Sequence, residues 1–332
     1  MTSHNTFKAW RVEENDGQFS GAEQERSTNE LPDGEVLIKV THSSLNYKDA
    51  LSAAGNKGVT RSYPHTPGID AAGEVVESAT GKPAVGEKVI VTGYDLGMNT
   101  DGGFGEYIRV PANWCVPMPA GWDAARAMIY GTAGLTAGLC VSKLLQAGAK
   151  PSDGRVAVSG ASGAVGSVAV ELLASQGFEV VAISGKESQT GLLRDLGASE
   201  VIGRDALEPQ KKPLLRPAFA HAVDTVGGAP LAELLKQIQP GGSVSCCGLV
   251  AGPQLETTVL PFILRGNNLL GVDSVEIPLE AKQAIWQKLA GPWACGETEA
   301  NVRFIGRADL KEALAAFLAG ESHGKTVLDH AR

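Results

Sequence analysis

Between Arg155 and Ala169 the chain reads RVAVSGASGAVGSVA. These residue types at this spacing suit one kind of chemistry, the capture of a pyrophosphate by backbone groups. The apolar run Val156–Val158 predicts a buried parallel strand. It breaks at Ser159-Gly160, passes Ala161, Gly163 and Gly166, and continues as a helix-spaced apolar series, Val165, Val168, Ala169, Leu172 and Leu173. Glycines let backbone approach a phosphate and let helix and strand pack closely. The helix N-terminus adds free N–H groups and a partial positive charge. Ser162, Gly163, Ala164 and Val165 are the candidate ligands, and the chemistry they indicate is nicotinamide redox.

The second candidate group lies one strand further on. Glu179–Ser184 (EVVAIS) reads as the next strand of a βαβ unit and ends in Ser184-Gly185-Lys186. Enzymes for NAD place an acid at this end to bond the ribose diol; an acid there would repel the extra phosphate of NADP. Here Ser184 offers a hydrogen bond and Lys186 a charge, with Glu187 one step beyond. A third strand, Val201-Ile202, leads to Gly203-Arg204, a second cation for the same phosphate. The expected cofactor is NADPH.

The elements that must hold these groups follow from the rest of the chain. A helix at Thr190–Leu196 and short apolar strands at Ala222–Asp224 and Ser243–Cys247 continue the β/α alternation. That pattern predicts an α/β fold, a doubly wound parallel sheet with helices on both faces. Earlier residues read differently, as strands Glu35–Val40, Ala72–Glu77, Lys88–Thr92 and Gly105–Val110 between turn residues. The helix Tyr130–Ala147 joins the two regions. Near Asp273 the alternation ends, and the helix around Leu279–Leu289 and the segment Val302–Leu328 return to the β-rich part. The expected domains are therefore residues 1–126 with 274–332, and an inserted dinucleotide domain, 127–273, with a cleft left for substrate.

Length and composition set the class. The 332 residues allow two domains, and 43% hydrophobic with 20% charged residues is the balance of a globular protein. A net charge of −8 speaks against non-specific nucleic-acid binding. No basic start with an apolar core opens the chain, and no apolar run approaches the roughly 20 residues of a membrane span. Cysteines stand at 115, 140, 246, 247 and 295; their odd number and apolar settings suggest reduced thiols in a cytoplasmic protein, with Cys246-Cys247 in core packing.

Ser44–Leu51 (SLNYKDAL), Pro67–Val75 (PGIDAAGEV), Val85–Val91 (VGEKVIV), Gly102–Val110 (GGFGEYIRV), Gly131–Ala137 (GTAGLTA), Leu196–Val201 (LGASEV) and Asp224–Gly227 (DTVG) run in order along nearly the whole chain. With the glycine turn, they resemble the medium-chain dehydrogenase/reductases of the quinone oxidoreductase-like branch. NYKDAL, MIYGTAG, SGASGAVGS, RDLGAS, PFILRG and GVDS are most similar to its NADPH-dependent acrylyl-CoA reductases. The resemblance implies a β-rich GroES-like catalytic domain, a Rossmann domain, reduction of acrylyl-CoA to propionyl-CoA, and a homodimer pairing edge strands, here Asn267–Gly271.

Zinc-using relatives carry Cys and Gly-His-Glu where this chain reads Leu45-Asn46-Tyr47-Lys48-Asp49 and Gly68-Ile69-Asp70. Residues 93–113 lack the cysteines of a structural zinc lobe, so a zinc-free enzyme is expected. His65, alone in a Pro-flanked loop, is expected to be structural or exposed rather than a ligand.

The resemblance places Asn46, Tyr47 and Asp49 beside the reacting groups. Tyr47 is to contact the cofactor and donate the proton, Asn46 to orient substrate or nicotinamide, and Asp49 either to hold the loop as a helix cap or to act in catalysis. Tyr63 and water are the other proton sources. Thr132 is expected near the nicotinamide, with Gly248, Leu249 and Asp273 along its far wall. Arg265 and Lys325 are candidates for the CoA phosphates, each with an exposed structural role as the alternative. A quinone or activated-alkene reductase and a non-catalytic NADPH-binding protein are the competing functions.

Overall fold

Asp16 and Gly17 both adopt left-handed backbone, the requirement of a type I′ turn. They join β1 (Thr6–Asn15) to β2 (Gln18–Ser27) in an antiparallel hairpin. The sequence reading lacks this hairpin, because β2 is polar on most of its length and shows no apolar alternation. The structure is a computed structural model, and it describes residues 6–300, 302–322 and 324–332.

A sheet follows: β3 (Val36–Ser44), β4 (Asp70–Ser78), β5 (Lys88–Thr92), β6 (Tyr107–Val110) and β7 (Val116–Pro117). β3 pairs antiparallel with both β4 and β6, and β4 with β5, where Asp70 lies opposite Thr92. Val36, Ile38, Val40, Ala71, Val75, Val89, Val91, Ile108 and Val110 close on one core. Each of the Val and Ile side chains stabilises the fold by roughly 1.5–3 kcal/mol on burial. Helix α1 (Tyr47–Ala53) begins two residues after β3 ends, with Asn46 at its N-cap.

Helix α2 (Ala124–Gln146) is interrupted at Gly131, where φ is 50°. A Cβ there would lie 2.2 Å from Ser44 Oγ and 2.6 Å from Asp70 Oδ2, so only glycine lets the chain pass. Among the described residues α2 is the one helix long and apolar enough to cross a membrane; 83% of its apolar window is buried inside the fold, as in a core helix.

The second sheet is wholly parallel. It contains β8 (Val156–Ser159), β9 (Val180–Ile183), β10 (Glu200–Ile202), β11 (His221–Asp224), β12 (Ser243–Cys246) and β13 (Asn268–Gly271) in the order β10-β9-β8-β11-β12-β13. Helices α3 (Ala164–Ser175), α4 (Thr190–Asp195), α5 (Gly228–Lys236) and α6 (Leu260–Arg265) connect them. This is the doubly wound α/β arrangement expected, with the order reversing between β8 and β11. β13, one residue shorter than the anticipated edge strand, does stand at the sheet edge.

The chain then forms α7 (Leu279–Ala290), α8 (Glu297–Ala300), β14 (Val302–Ile305), α9 (Leu310–Leu318) and β15 (Lys325–Asp329). β15 pairs antiparallel with β3 and parallel with β14, so the returning segment completes the first sheet.

Packing divides the chain into Met1–Thr132, Val275–Ala290 and Asn301–Arg332 as one unit, and Ala133–Ser274 with Gly291–Ala300 as another. The expected domain borders differ from this in three places, one of them the single residue Ser274, which groups with the dinucleotide unit. Residues 127–132 group with the β-rich unit, because the Thr132 N–H and hydroxyl both bond Asp70. Residues 291–300 group with the dinucleotide unit, because Glu171 of α3 accepts the Gly296 and Thr298 N–H groups at 2.9 Å each.

Candidate active site

In the parallel sheet the carboxyl ends of the strands share one edge, which gathers most of the sequence candidates. After β8, Gly163 serves as the N-cap of α3 and supplies no side-chain cap. Ser162, Gly163, Ala164 and Val165 thus form the strand-to-helix turn with α3 opening out of it, a form suited to an anion. Gly160 is left-handed, at φ 62°. A Cβ on Gly166 would lie 2.3 Å from the Gly160 oxygen, so both glycines are needed for turn and helix to pack.

Beyond β9, the Ser184 hydroxyl donates to Ser162 Oγ at 2.9 Å and accepts the Lys186 N–H at 3.1 Å. A Cβ on Gly185 would lie 2.0 Å from Arg204 Nε. The Arg204 guanidinium therefore lies directly on the Gly185 backbone, with Ser184 and Lys186 on either side of that glycine in sequence. Gly248 follows β12 with its Cα against the Val226 and Gly227 amides; a Cβ would lie 2.0 Å from Val226 N. Leu249 is 65% exposed next to it. Asp273 follows β13 on the same edge. Burial pushes the Cys246 thiol up to about 12, so it stays a thiol.

The β-rich unit holds a second group. Asp70, fully buried at the start of β4, accepts hydrogen bonds from the Ser44 hydroxyl, from Asn46 Nδ2 at 2.8 Å, from the Thr132 N–H at 2.9 Å and from the Thr132 hydroxyl. Asn46 Nδ2 also donates to the Ser44 oxygen at 3.2 Å. Asp49, also buried, accepts the N–H groups of Asn46, Gly68 and Ile69 at 2.7, 3.1 and 2.9 Å. Its bonds are those of a helix cap that ties α1 to the strand carrying Asp70. Burial, then the neighbouring Asp70 charge, push its carboxyl up to about 7. Lys325 is buried and donates to the Tyr130 oxygen at 2.8 Å; burial pulls its ammonium down to about 8, against the pull of Asp70. Tyr47, the first residue of α1, is 44% exposed.

Asp70 and Lys325 are absent from the sequence-derived site as polar partners. In sequence, Gly68-Ile69-Asp70 stands out as part of the PGIDAAGEV motif and for lacking the His and Glu of zinc-using relatives, neither of which marks Asp70 as a hydrogen-bonding centre. Lys325 cannot anchor a CoA phosphate from its buried position, and Arg265 spends its guanidinium on the Lys236, Ile238 and Leu215 carbonyls. Tyr63 is half-buried and donates its hydroxyl to the Ser52 oxygen at 2.6 Å. His65 is buried, with Nε2 2.9 Å from the Gly97 oxygen, a structural setting. Among the described residues no group of three His, Cys, Asp or Glu side chains is placed to hold a metal.

A doubly wound dinucleotide unit carried by a β-rich unit of this topology is the architecture of an alcohol-dehydrogenase-like oxidoreductase. Residues 32–120 match the alcohol dehydrogenase GroES-like domain, and 164–290 the zinc-binding dehydrogenase family. The chain is 42% identical to the acrylyl-CoA reductase AcuI of Ruegeria pomeroyi over 96% of both chains. It is 46% identical, over 86% of both, to YhfP of Bacillus subtilis, which carries a provisional quinone oxidoreductase label. The YhdH oxidoreductase of Salmonella enterica, solved in complex with NADP, superposes with a TM-score of 0.94 at 42% identity, covering 97% of this chain and 99% of that one. Bacillus subtilis YhfP, solved with NAD bound, gives 0.95 at 41% identity, with 98% and 99% covered. The chain belongs to the medium-chain dehydrogenase/reductase superfamily, in the quinone oxidoreductase-like branch that includes the acrylyl-CoA reductases.

Proposed function

We propose that this protein is an NADPH-dependent acrylyl-CoA reductase. Acrylyl-CoA, NADPH and a proton give propionyl-CoA and NADP+. The observation that carries the reading is the Arg204 guanidinium seated on Gly185, between Ser184 and Lys186 in sequence, in a chain 42% identical to an acrylyl-CoA reductase along 96% of its length. Relatives bind different nicotinamide nucleotides, and this corner favours the phosphorylated one. Two cations with no acid at the strand end suit a 2′-phosphate.

Ser162, Gly163, Ala164 and Val165 would hold the pyrophosphate on the first turn of α3. Gly248, Leu249 and Asp273 would border the nicotinamide end. When bound, NADPH supplies the hydride that adds to the β-carbon. The chain must then orient the thioester and deliver a proton to the α-carbon. Asn46 donates both amide hydrogens inward, to Ser44 and Asp70. It thus presents Oδ1 as an acceptor, which fits it to orient a carboxamide rather than to donate to the thioester oxygen. Thr132 gives its hydroxyl proton to Asp70 and is likewise directed to accept. Tyr47 is the exposed residue of this group, and it takes the role of proton donor. Asp49 and Asp70 hold the loop from beneath.

Absorbance of NADPH followed with purified protein and acrylyl-CoA tests the function, with NADH and a simple quinone as comparisons. Rapid oxidation with acrylyl-CoA and NADPH is the expected result. Activity with quinone alone would establish the reductase reading carried by the YhfP likeness instead. Tight NADPH binding without turnover would make the protein non-catalytic. Arg204→Glu is expected to raise KM for NADPH at least roughly tenfold, since a charge-assisted bond contributes about 1.5–3 kcal/mol. KM for NADH should stay within about twofold under the same reasoning; a parallel change in both would remove Arg204 from the phosphate site.

The proposal includes a cytoplasmic homodimer joined through β13. That strand pairs only with β12 in the sheet order, and Ile263 and Leu264 just before it are exposed. Light scattering at micromolar concentration tests this; a particle of one 34.5 kDa chain would refute it.

A further inference from the structure

Lys282 on α7 lies far in sequence from Asp70 and the residues that bond it, yet it is completely buried in the β-rich unit. Its ammonium donates to the Thr92 oxygen at 2.6 Å and to the Val275 oxygen at 3.0 Å. It also sits 3.3 Å from the centre of the Tyr94 ring, a cation–π contact that gains strength from desolvation. Tyr94 is one of two described non-glycine residues with left-handed backbone, at φ 52°. Its N–H bonds the Val275 oxygen and its hydroxyl the Ile277 oxygen, each at 3.2 Å, and its ring stacks on Trp114 at 5.2 Å.

The residues so gripped are those that shape the Asp70 group. Thr92 is the cross-strand partner of Asp70. The Gly93 N–H bonds the Ile69 oxygen at 3.1 Å. Gly97 is so close that a Cβ would lie 2.4 Å from the Gly68 carbonyl carbon and 2.7 Å from Ile69 N. Gly68 and Ile69 are the residues whose amides bind Asp49.

The geometry points to Lys282 as a positioning residue of the reaction, acting through Thr92 and Tyr94 on the strand that carries Asp70. It touches no reacting atom. The inference builds on the proposed function but concerns residues that reading does not use.

Lys282→Met keeps the stem and removes the ammonium; Tyr94→Leu keeps the lysine and removes its ring. Assayed well below their melting temperatures, both are expected to lower kcat at least tenfold with acrylyl-CoA. The Kd for NADPH, whose phosphate ligands lie in the other unit, should stay within twofold. The Asp49 carboxyl, flanked by Asp70 and by the Asn46, Gly68 and Ile69 amides, should titrate at a shifted midpoint in the 13C spectrum of aspartate-labelled protein, its signal assigned by loss in Asp49→Asn. A lowered melting temperature with kcat and midpoint unchanged would overturn the inference and leave Lys282 a stabilising residue alone. If the wild type proves inactive, the function fails by itself. The carboxyl midpoint then decides for Lys282: a shift upholds its role as a support of the Asp70 strand, and no shift overturns it.

Discussion

Asp70→Asn is expected to lower kcat about a hundredfold, the scale of loss when reacting groups are misplaced by about an ångström. The wild-type carboxylate receives four hydrogen bonds, from Ser44, Asn46 and both donors of Thr132. An amide nitrogen at the Oδ2 position would face three donors, from Ser44, Asn46 and the Thr132 N–H. At the Oδ1 position it obliges the Thr132 hydroxyl to accept and to turn its own proton away from this group. The charge also matters. Without Asp70 the Asp49 carboxyl loses its repelling neighbour and falls from about 7 toward its ordinary value. The Lys325 ammonium loses its attracting one and falls further below about 8.

Both shifts leave a mark on stability. In the wild type Asp49 binds its proton more tightly folded than unfolded, so stability falls as pH rises from 3.8 to about 7. Lys325 binds its proton less tightly folded, so stability rises between about 8 and 10.5. In Asp70→Asn the acidic slope should flatten. Thermal melts against pH, with kcat at each pH, measure both effects. A variant with kcat within about threefold of wild type would show that the hub does not position the reacting groups.

Tyr47→Phe is the second large effect. A positioned general acid contributes about 10²–10⁴-fold, so kcat should fall by that range while the melting temperature holds, because the side chain is 44% exposed. A steady kcat with only weaker NADPH binding would assign protonation to water and leave Tyr47 as a wall for the cofactor. The solvent isotope effect separates the cases. It should grow in the variant if a slower proton transfer has become limiting, and stay constant if Tyr47 never carried the proton.

How much of this was legible in the chain depends on the range of each interaction. The dinucleotide corner is written in consecutive residues, Val156 to Leu173, because strand, turn and helix are each set by nearest neighbours. The basic strand end was readable for the same reason, since Ser184, Gly185 and Lys186 adjoin and Arg204 ends the next strand. A helix-cap role for Asp49 was legible as one of its two roles, and its bonds to the Asn46, Gly68 and Ile69 amides are of that kind. Asp70 was not; Tyr63 entered through resemblance and gives its hydroxyl to the Ser52 oxygen, while Lys325, a candidate for the CoA phosphates, is enclosed and bonds the Tyr130 oxygen.

By itself the sequence determined the β/α alternation, the glycine turn and the lack of an acid after the second dinucleotide strand. Each follows from periodicity or from backbone freedom within a few residues. Tertiary structure alone decided that Ser44, Asn46, Asp70 and Thr132 meet, that Lys325 is enclosed near them, and that Lys282 grips the strand beside them. A buried charge acquires its meaning from whatever closes around it. Here those groups arrive from β3, α1, β4, α2, α7 and β15, brought together by strand register and core packing rather than by adjacency along the chain.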